Sequence, residues 1–164
     1  MSRQRDKSGD EKSKPSAYDK ALGLLARREH SRRELKLKLR QRGYEGEEAG
    51  AALDRLGEQR YQDDDRFAEA LVRNRSSQGY GPQRLRAELK SHGLSDARIR
   101  ELLDAAEIDW TALAAAQLRR RYGSAASADP AERVRRAQFL LRRGFAAATV
   151  RNVTHAEVDE AADD

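Results

Sequence analysis

The feature that most constrains the fold of this chain is a repeat marked by glycine. Gly43, Gly93 and Gly144 follow one another at intervals of 50 and 51 residues. A leucine stands four residues before each glycine and an apolar residue six residues after it, which gives the columns Leu39, Leu89, Leu140 and Ala49, Ile99, Val150. A fixed period with a common apolar pattern is typical of tandem structural units. The sequence therefore predicts three consecutive units of similar design.

Within each unit the apolar residues recur at spacings of three and four, as on the buried face of a helix. Alanine, leucine, arginine and glutamate dominate the chain and favour helix, and runs of β-branched residues are absent, so no sheet is expected. We therefore predict an all-α fold with three helices in each unit, at about residues 17–29, 32–42, 46–59, 64–76, 82–92, 96–107, 110–122, 130–143 and 147–158.

One segment carries a conflicting signal. ELKLKLRQRG, at residues 34–43, alternates apolar and basic residues, which is a strand pattern. Ser31 followed by Glu34 is, however, a capping-box pattern for a helix N-terminus, and Leu35 and Leu39 lie one helical turn apart. We therefore predict a helix here, with Leu37 pointing outward.

The composition favours thin helical layers over one thick core. Apolar residues make up 38% of the chain and charged residues 37%, so each helix is expected to have a solvent-exposed outer face. We expect a disordered polar tail over residues 1–16, units at 17–62, 63–109 and 110–158, and an acidic C-terminal tail at 159–164. A repeat array stacks each unit on its neighbours only, which gives a long surface rather than a deep pocket.

The chain has no cysteine, so disulfides and thiolate metal sites are excluded and a reducing compartment fits. Its N-terminus lacks the apolar core of a secretory signal, and no stretch approaches the length of a membrane span. We expect a soluble cytoplasmic protein that does not bind a membrane.

The charge is polarised along the chain. Counting Lys and Arg against Asp and Glu, residues 17–62 carry +3, residues 63–109 carry −2, residues 110–155 carry +7 and residues 156–164 carry −5. A basic block favours an anionic partner, which could be nucleic acid, an acidic protein surface or the chain's own tail. The alternative is a solvated, arginine-rich helix surface with no partner.

The turn Gly79-Tyr80-Gly81-Pro82 could hold a phosphate, precede a helix that lies on DNA, or form a joint between packed helices. Phosphate loops need the pattern G-x-x-x-x-G-K-[ST] or G-x-G-x-x-G between a strand and a helix. The turn matches neither pattern, and no strand is predicted before it. Gly81 suits a helix N-cap, Pro82 suits the first helical position, and Gly93 suits a helix end. We therefore predict a joint, at which Tyr80 either packs or offers an exposed contact.

Catalytic patterns are not apparent, and we expect neither an enzyme nor a cofactor. The histidines His30, His92 and His155 fall near helix ends, where a cation is favoured by the helix dipole, and none has the spacing of metal ligands. The acidic run Asp63–Asp65 lies where a helix begins, which predicts a capping role. Asp129, directly before Pro130, is likewise predicted to be a helix N-cap.

A DNA-binding alternative stays open. A three-helix unit with a short basic helix resembles a helix-turn-helix module, and Arg84, Arg86 and Lys90 point outward if Leu85 and Leu89 point inward. The negative charge of the second unit and the scarcity of aromatic residues argue against it.

The run DDDRFAEALVRNRSSQGYGPQRLRAELKSHGL resembles the centre of the bacterial RecX regulatory proteins. The residues that carry the likeness are Asp65, Arg66, Phe67, Ala68, Arg73, Arg75, Gly79, Gly81, Pro82, Leu85, Glu88, Leu89 and Gly93. ALGLLARREHSRRELKLKLRQRGY is similar to the first unit of that family and FLLRRGF to its third, so the resemblance covers about residues 17–155.

The resemblance implies an elongated, curved array of three tandem three-helix repeats that acts as a monomer. It also implies binding to the RecA recombinase and to its filament on single-stranded DNA, with weak direct DNA binding possible. RecX proteins inhibit filament growth, strand exchange, ATP hydrolysis and co-protease activity, and so act on DNA repair, homologous recombination and the SOS response. A duplex-DNA-binding repeat protein without a recombinase partner is the alternative.

We expect the filament or its DNA to be contacted by basic side chains of the second and third units. The candidates are Arg73, Arg75, Arg84, Arg86, Lys90, Arg119, Arg120, Arg121, Arg135, Arg136, Arg142 and Arg143.

Overall fold

The structure, a computed structural model, describes residues 13–156 and residue 158. Over these residues it consists of nine α-helices and contains no strand. The helices are α1 Ala17–Leu25, α2 Arg32–Gln41, α3 Gly46–Glu58, α4 Asp64–Ser77, α5 Pro82–Ser91, α6 Asp96–Ala105, α7 Trp110–Tyr122, α8 Pro130–Arg142 and α9 Ala147–Thr154. The predicted all-α fold with three helices per unit is confirmed.

Each unit buries its own apolar cluster. Helices α1–α3, α4–α6 and α7–α9 pack within their own groups, and the extensive helix contacts among the described residues lie inside these groups. Leu35 and Leu53 centre the first core, and Phe145 and Val150 the third. The second core contains Phe67, Leu85 and Leu89, as predicted.

The glycine column marks the end of the middle helix in every unit. Gly43, Gly93 and Gly144 have φ angles of 85°, 88° and 92°, and they follow α2, α5 and α8. This left-handed conformation is readily available only to glycine, because a Cβ would clash with the backbone. The repeat in the sequence therefore reflects one backbone requirement met three times.

The predicted caps are confirmed. The Ser31 hydroxyl accepts the Glu34 amide, and Asp63 and Asp129 begin α4 and α8 in the same way. Gly81 is the N-cap of α5, with Pro82 in the first turn. The segment with strand-like alternation is helix α2, and Leu37 is 49% exposed, as expected from its position.

Three predicted helices are too long. Helix α1 ends at Leu25 rather than 29, α6 at Ala105 rather than 107, and α9 at Thr154 rather than 158. After α1 the chain turns so that His30 becomes buried, which a continuing helix would not allow. Glu107 and His155 adopt positive φ angles of 51° and 55°, which end regular helix without a glycine.

The expected disorder of the N-terminal tail does not extend to its last residues. The Tyr44 hydroxyl donates to the Pro15 carbonyl, and the Lys14 ammonium lies 4.2 Å from the centroid of the Tyr44 ring. These contacts hold residues 14–15 on the first unit because the tyrosine supplies both a hydrogen-bond donor and an aromatic face. The predicted disorder of residues 1–12 and the acidic tail at 159–164 lie outside the described residues.

Candidate partner-binding surface

The turn before α5 is a joint between the second and third units. The Gly81 amide donates to the Arg143 carbonyl at 2.9 Å, and the Gln83 amide donates to the Gly144 carbonyl at 2.8 Å. A Cβ on Gly81 would lie 2.5 Å from the Gly144 carbonyl carbon, which is too close for any side chain. The predicted helix joint with Gly81 as the N-cap of α5 is confirmed. The contact of this turn with the third unit was not predicted, and the close approach of the two backbones there requires the glycine.

Tyr80 packs at this joint. Its ring lies between two guanidinium groups, with Arg84 and Arg143 each 4.1 Å from the ring centroid. Arg143 also donates to the Gln78 carbonyl across the joint. Cation–π contacts of this kind stabilise the pair most where water is excluded. Of the two roles considered for Tyr80, the structure shows the packing role.

A second joint connects the first unit to the second and is mainly polar. The Ser31 hydroxyl lies 2.7 Å from Nδ1 of His92, and the Asp64 carboxylate accepts the Arg32 amide at 2.9 Å. Asp64 therefore caps a helix of the neighbouring unit instead of its own. Asp65 pairs with Arg98 at 2.7 Å. The predicted capping role is therefore confirmed for Asp63, which is the N-cap of α4. Asp64 and Asp65 instead contact other helices.

Two ion pairs use motif residues of the second unit. Arg66 bonds Glu29 of the first unit at 2.6 Å, and Arg75 bonds Glu88 at 2.7 and 2.9 Å. The hydrogen bonds from Arg75 hold the pKa of the Glu88 carboxyl below its ordinary value. The Arg75–Glu88 pair and Glu29 line a cleft of about 400 Å³ between the first two units, in which Arg28 also pairs with Glu34.

The other basic candidates of the second unit are exposed, and some have partners nearby. Lys90 lies 3.4 Å from Asp96, and Arg86 donates to the Gln83 side chain at 3.0 Å. Arg73 is exposed on α4, and Arg84 lies against Tyr80. The basic character of this unit is therefore reduced by contacts within the chain.

The third unit presents a group of arginines that we call the arginine face. These side chains are exposed at the end of α7 and along α8, and none forms an ion pair with a described residue. They are Arg119, Arg120, Arg121, Arg135 and Arg142. Only two acidic residues, Asp129 and Glu132, lie between positions 110 and 155, so the positive charge is not compensated locally.

The remaining two candidates of the third unit have structural contacts. Arg136, whose side chain is 11% exposed, bonds Glu132 at 2.8 Å and the Ala125 carbonyl at 3.1 Å. Arg143 belongs to the joint with the second unit. A role for Arg75, Arg136 or Arg143 in partner binding stays a prediction, but each already holds the chain together.

Sequence reasoning missed the buried His30. The prediction placed it near a helix end, where the dipole favours the charged form, but it precedes α2 and is 2% exposed. Its Nδ1 lies 3.0 Å from the Arg28 carbonyl and its Nε2 lies 3.3 Å from the Lys38 ammonium. No local pattern indicates this, because burial depends on how the chain packs and not on the spacing of residues near position 30.

Each of the three units is similar to a domain of a known protein family. Family models for the first, second and third three-helix domains of RecX match residues 17–56, 63–103 and 107–154, in that order. The chain belongs to the RecX family. The matches account for all three units, so the family organisation of three tandem three-helix domains holds along the described chain.

Relatives named regulatory protein RecX resemble the chain over most of its length. The protein of Xanthomonas axonopodis pv. citri (strain 306) is 48% identical over 141 residues, which cover 86% of this chain and 87% of the relative. That of Stenotrophomonas maltophilia (strain K279a) is 49% identical over 141 residues, 86% of each chain. That of Halorhodospira halophila is 49% identical over 133 residues, 81% and 83% of the two chains. The RecX relatives are named as regulators.

Solved structures agree with the fold. The crystal structure of RecX from Lactobacillus salivarius superposes with a TM-score of 0.69 at 21% identity, covering 85% of this chain and 92% of that one. A second crystal structure of regulatory protein RecX gives 0.69 at 23% identity, covering 85% and 70%. Among the described residues, no helix is long and apolar enough to cross a membrane.

Proposed function

We propose that this chain binds the RecA recombinase and its filament on single-stranded DNA in the cytoplasm. It inhibits filament growth, strand exchange, ATP hydrolysis and co-protease activity. The observation that carries this proposal is the match of three RecX domains in order over residues 17–154, together with relatives named as regulatory proteins. An array of units that each bury their own core suits contact along a repeating filament.

The arginine face supports a partner that presents negative charge. Its guanidinium groups stand on two adjacent helices of the third unit and lack acidic partners among the described residues. Exposed cations without partners attract phosphates or carboxylates over distances of about 10 Å at ordinary salt. In a recombinase filament both the protein and the DNA offer such groups.

A duplex-DNA-binding function has less support. The helix that would correspond to a basic DNA-contacting element, α5, has Arg84 stacked on Tyr80 and Lys90 close to Asp96. The N-terminus of α5 is packed against the third unit through Gly81. A recognition helix needs its N-terminal residues free to reach base edges, and here they are occupied.

The experiment is a measurement of ATP hydrolysis by RecA on single-stranded DNA as the chain is added. A filament inhibitor suppresses hydrolysis at ratios well below one per recombinase protomer, because stopping growth at a few places affects many protomers. Unchanged hydrolysis in the presence of excess chain would reject the proposal. Tight binding to naked duplex with a steep salt dependence would then favour the DNA-binding alternative.

Charge reversal tests the arginine face in the same assay. We expect Arg142→Glu to raise the concentration needed for half-inhibition about tenfold, since a repulsive charge replaces an attractive contact. Arg100→Glu is the matched control, because Arg100 is also exposed but lies on α6 of the second unit. Helical circular dichroism should be unchanged in both variants. Equal inhibition by Arg142→Glu and the unaltered chain would remove Arg142 from the binding surface.

A further inference from the structure

A cleft of about 390 Å³ lies at the joint between the second and third units. It is bordered by the end of α4 on one side and by the facing parts of α7 and α8 on the other. The residues that line it are Gln78, Gln117, Arg120, Arg121, Phe139 and Arg143. The cleft therefore combines guanidinium groups, side-chain amides and one aromatic ring.

The charge of this cleft is not balanced. Three arginines line it and no carboxylate does, whereas the cleft between the first two units sets Arg28 and Arg75 against Glu34 and Glu88. Arg120 and Arg121 form no ion pair with any residue that the structure describes. Uncompensated guanidinium groups at a concave surface favour an anion, and their planar fork matches a phosphate.

The cleft also has a flat surface. The Arg121 guanidinium lies 4.9 Å from the centroid of the Phe139 ring, and Tyr122 contacts the same ring edge-on at 6.0 Å. These contacts hold the guanidinium plane in place before any ligand arrives. Unstacked nucleic-acid bases bind to guanidinium planes and aromatic rings of this kind.

Two amide side chains supply hydrogen-bonding capacity. The Gln78 Oε1 accepts a hydrogen bond from Arg75 at 3.2 Å, while its amide nitrogen has no partner among the described residues. Gln117 lies against Gly79, and the structure shows no hydrogen bond to its side chain from any described residue. A glutamine amide offers both a donor and an acceptor, as the edge of a base requires.

We propose that this cleft binds one nucleotide of single-stranded DNA. Arg120 holds its phosphate, the base stacks against the Arg121–Phe139 pair, and the amides contact the edge of the base. A base within a duplex is stacked and paired and cannot enter, so the site selects single strands. An acidic peptide would use the arginines but leave the flat surface and the amides without a role.

This proposal rests on the proposed function, in which single-stranded DNA is part of the partner, but it is tested without a recombinase. The full chain is titrated against a fluorescent oligothymidylate, and binding is followed by anisotropy at several salt concentrations. Arg120→Glu is compared with Arg100→Glu, because Arg100 is also exposed and gives the same change in charge but lies on α6 and does not line the cleft.

We expect Arg120→Glu to weaken binding about tenfold and to lower the salt slope by about 0.7, the value for one lost phosphate contact on a single strand. Arg100→Glu should weaken binding less than threefold by the general loss of charge. Gln117→Leu, which keeps the size of the side chain, should weaken binding about fivefold through a lost hydrogen bond and leave the salt slope unchanged. An oligonucleotide with abasic sites should bind both Gln117→Leu and the unaltered chain equally weakly.

Three results of the oligonucleotide titration would overturn the nucleotide site. They are equal weakening by Arg100→Glu and Arg120→Glu, equal affinity for abasic and normal oligonucleotides, and equal affinity for a fully paired duplex. If Arg120→Glu binds the oligonucleotide normally but no longer suppresses ATP hydrolysis by RecA, the cleft contacts protein and the inference is wrong. The proposed function would survive that last result, so the two can fail separately.

Discussion

His30 is a titratable side chain that is almost fully buried, with 2% exposure. Burial lowers the pKa of its imidazole below the ordinary value of 6.5, and the hydrogen bond to the Arg28 carbonyl opposes this only in part. In the neutral ring Nδ1–H donates to that carbonyl and Nε2 accepts from the Lys38 ammonium. A second proton on Nε2 would face Lys38, with Glu34 4.0 Å away as partial compensation.

Stability should therefore decrease as the solution becomes acidic. Because the folded-state pKa of His30 lies below 6.5, the unfolded chain binds the proton more readily. The contribution of the neutral ring is complete above pH 6.5 and is lost as the pH falls through the folded-state pKa. We expect urea unfolding to show a lower free energy of unfolding at pH 5.5 than at pH 7.5.

Replacement of the histidine isolates its contribution. His30→Gln keeps one donor and one acceptor but cannot titrate, so the difference between the two pH values should become smaller. His155→Asn is the control, because His155 is exposed and asparagine tolerates its left-handed backbone. If both variants retain the full pH difference, burial of His30 does not cause it.

Single residues were predictable from the sequence where their role is local. Ser31, Asp63 and Asp129 begin helices, and Leu35 and Leu39 are buried, because these roles follow from neighbours a few positions away. The pairing of Arg75 with Glu88 depends on how α4 and α5 cross, and the burial of His30 depends on how the chain packs around it. The spacing of residues along the chain does not determine either arrangement.

At the scale of elements, the turn before α5 contacts the end of α8 through the backbone itself. Two backbone hydrogen bonds connect positions more than sixty residues apart, and Arg143 and Tyr80 cover them. Helices themselves were well predicted, because the apolar period and the caps lie within each segment. The docking was not, since a glycine that begins a helix looks the same whether or not another backbone lies against it.

Gly81→Ala should open this joint. Gly81 has a φ of −88°, which alanine also adopts, so the effect comes from the Cβ that would lie 2.5 Å from the backbone of Gly144. We expect the free energy of unfolding to fall by about 1–3 kcal/mol, as for other overpacked sites. The Gln83 amide, which donates to the Gly144 carbonyl, should exchange its hydrogen faster.

Gly57→Ala provides the control for this substitution. Gly57 lies inside α3 with no atom within 4 Å of an added Cβ, so alanine should be neutral or stabilising there. Normal protection of the Gln83 amide in Gly81→Ala would show that the second and third units do not depend on this close approach.

At the scale of the whole molecule, the part of the chain that the structure describes contains three separately buried cores joined by two different contacts. The first joint is a polar network around Ser31, His92 and Asp64, and the second is the backbone contact at Gly81. The units differ in charge, and the arginine face is confined to the third. The number of units followed from the glycine repeat, and the family followed from the central motif, but neither gives the surface that meets the partner.

In the proposed function, the chain binds the recombinase filament itself and not only its DNA. Co-sedimentation of the chain with preformed RecA filaments on single-stranded DNA tests it most directly, with free recombinase and naked DNA as parallel samples. We expect the chain to pellet with the filament at concentrations where neither parallel sample retains it, and Arg142→Glu to remain largely in the supernatant. Equal recovery of the chain with naked DNA and with filaments would contradict the claim.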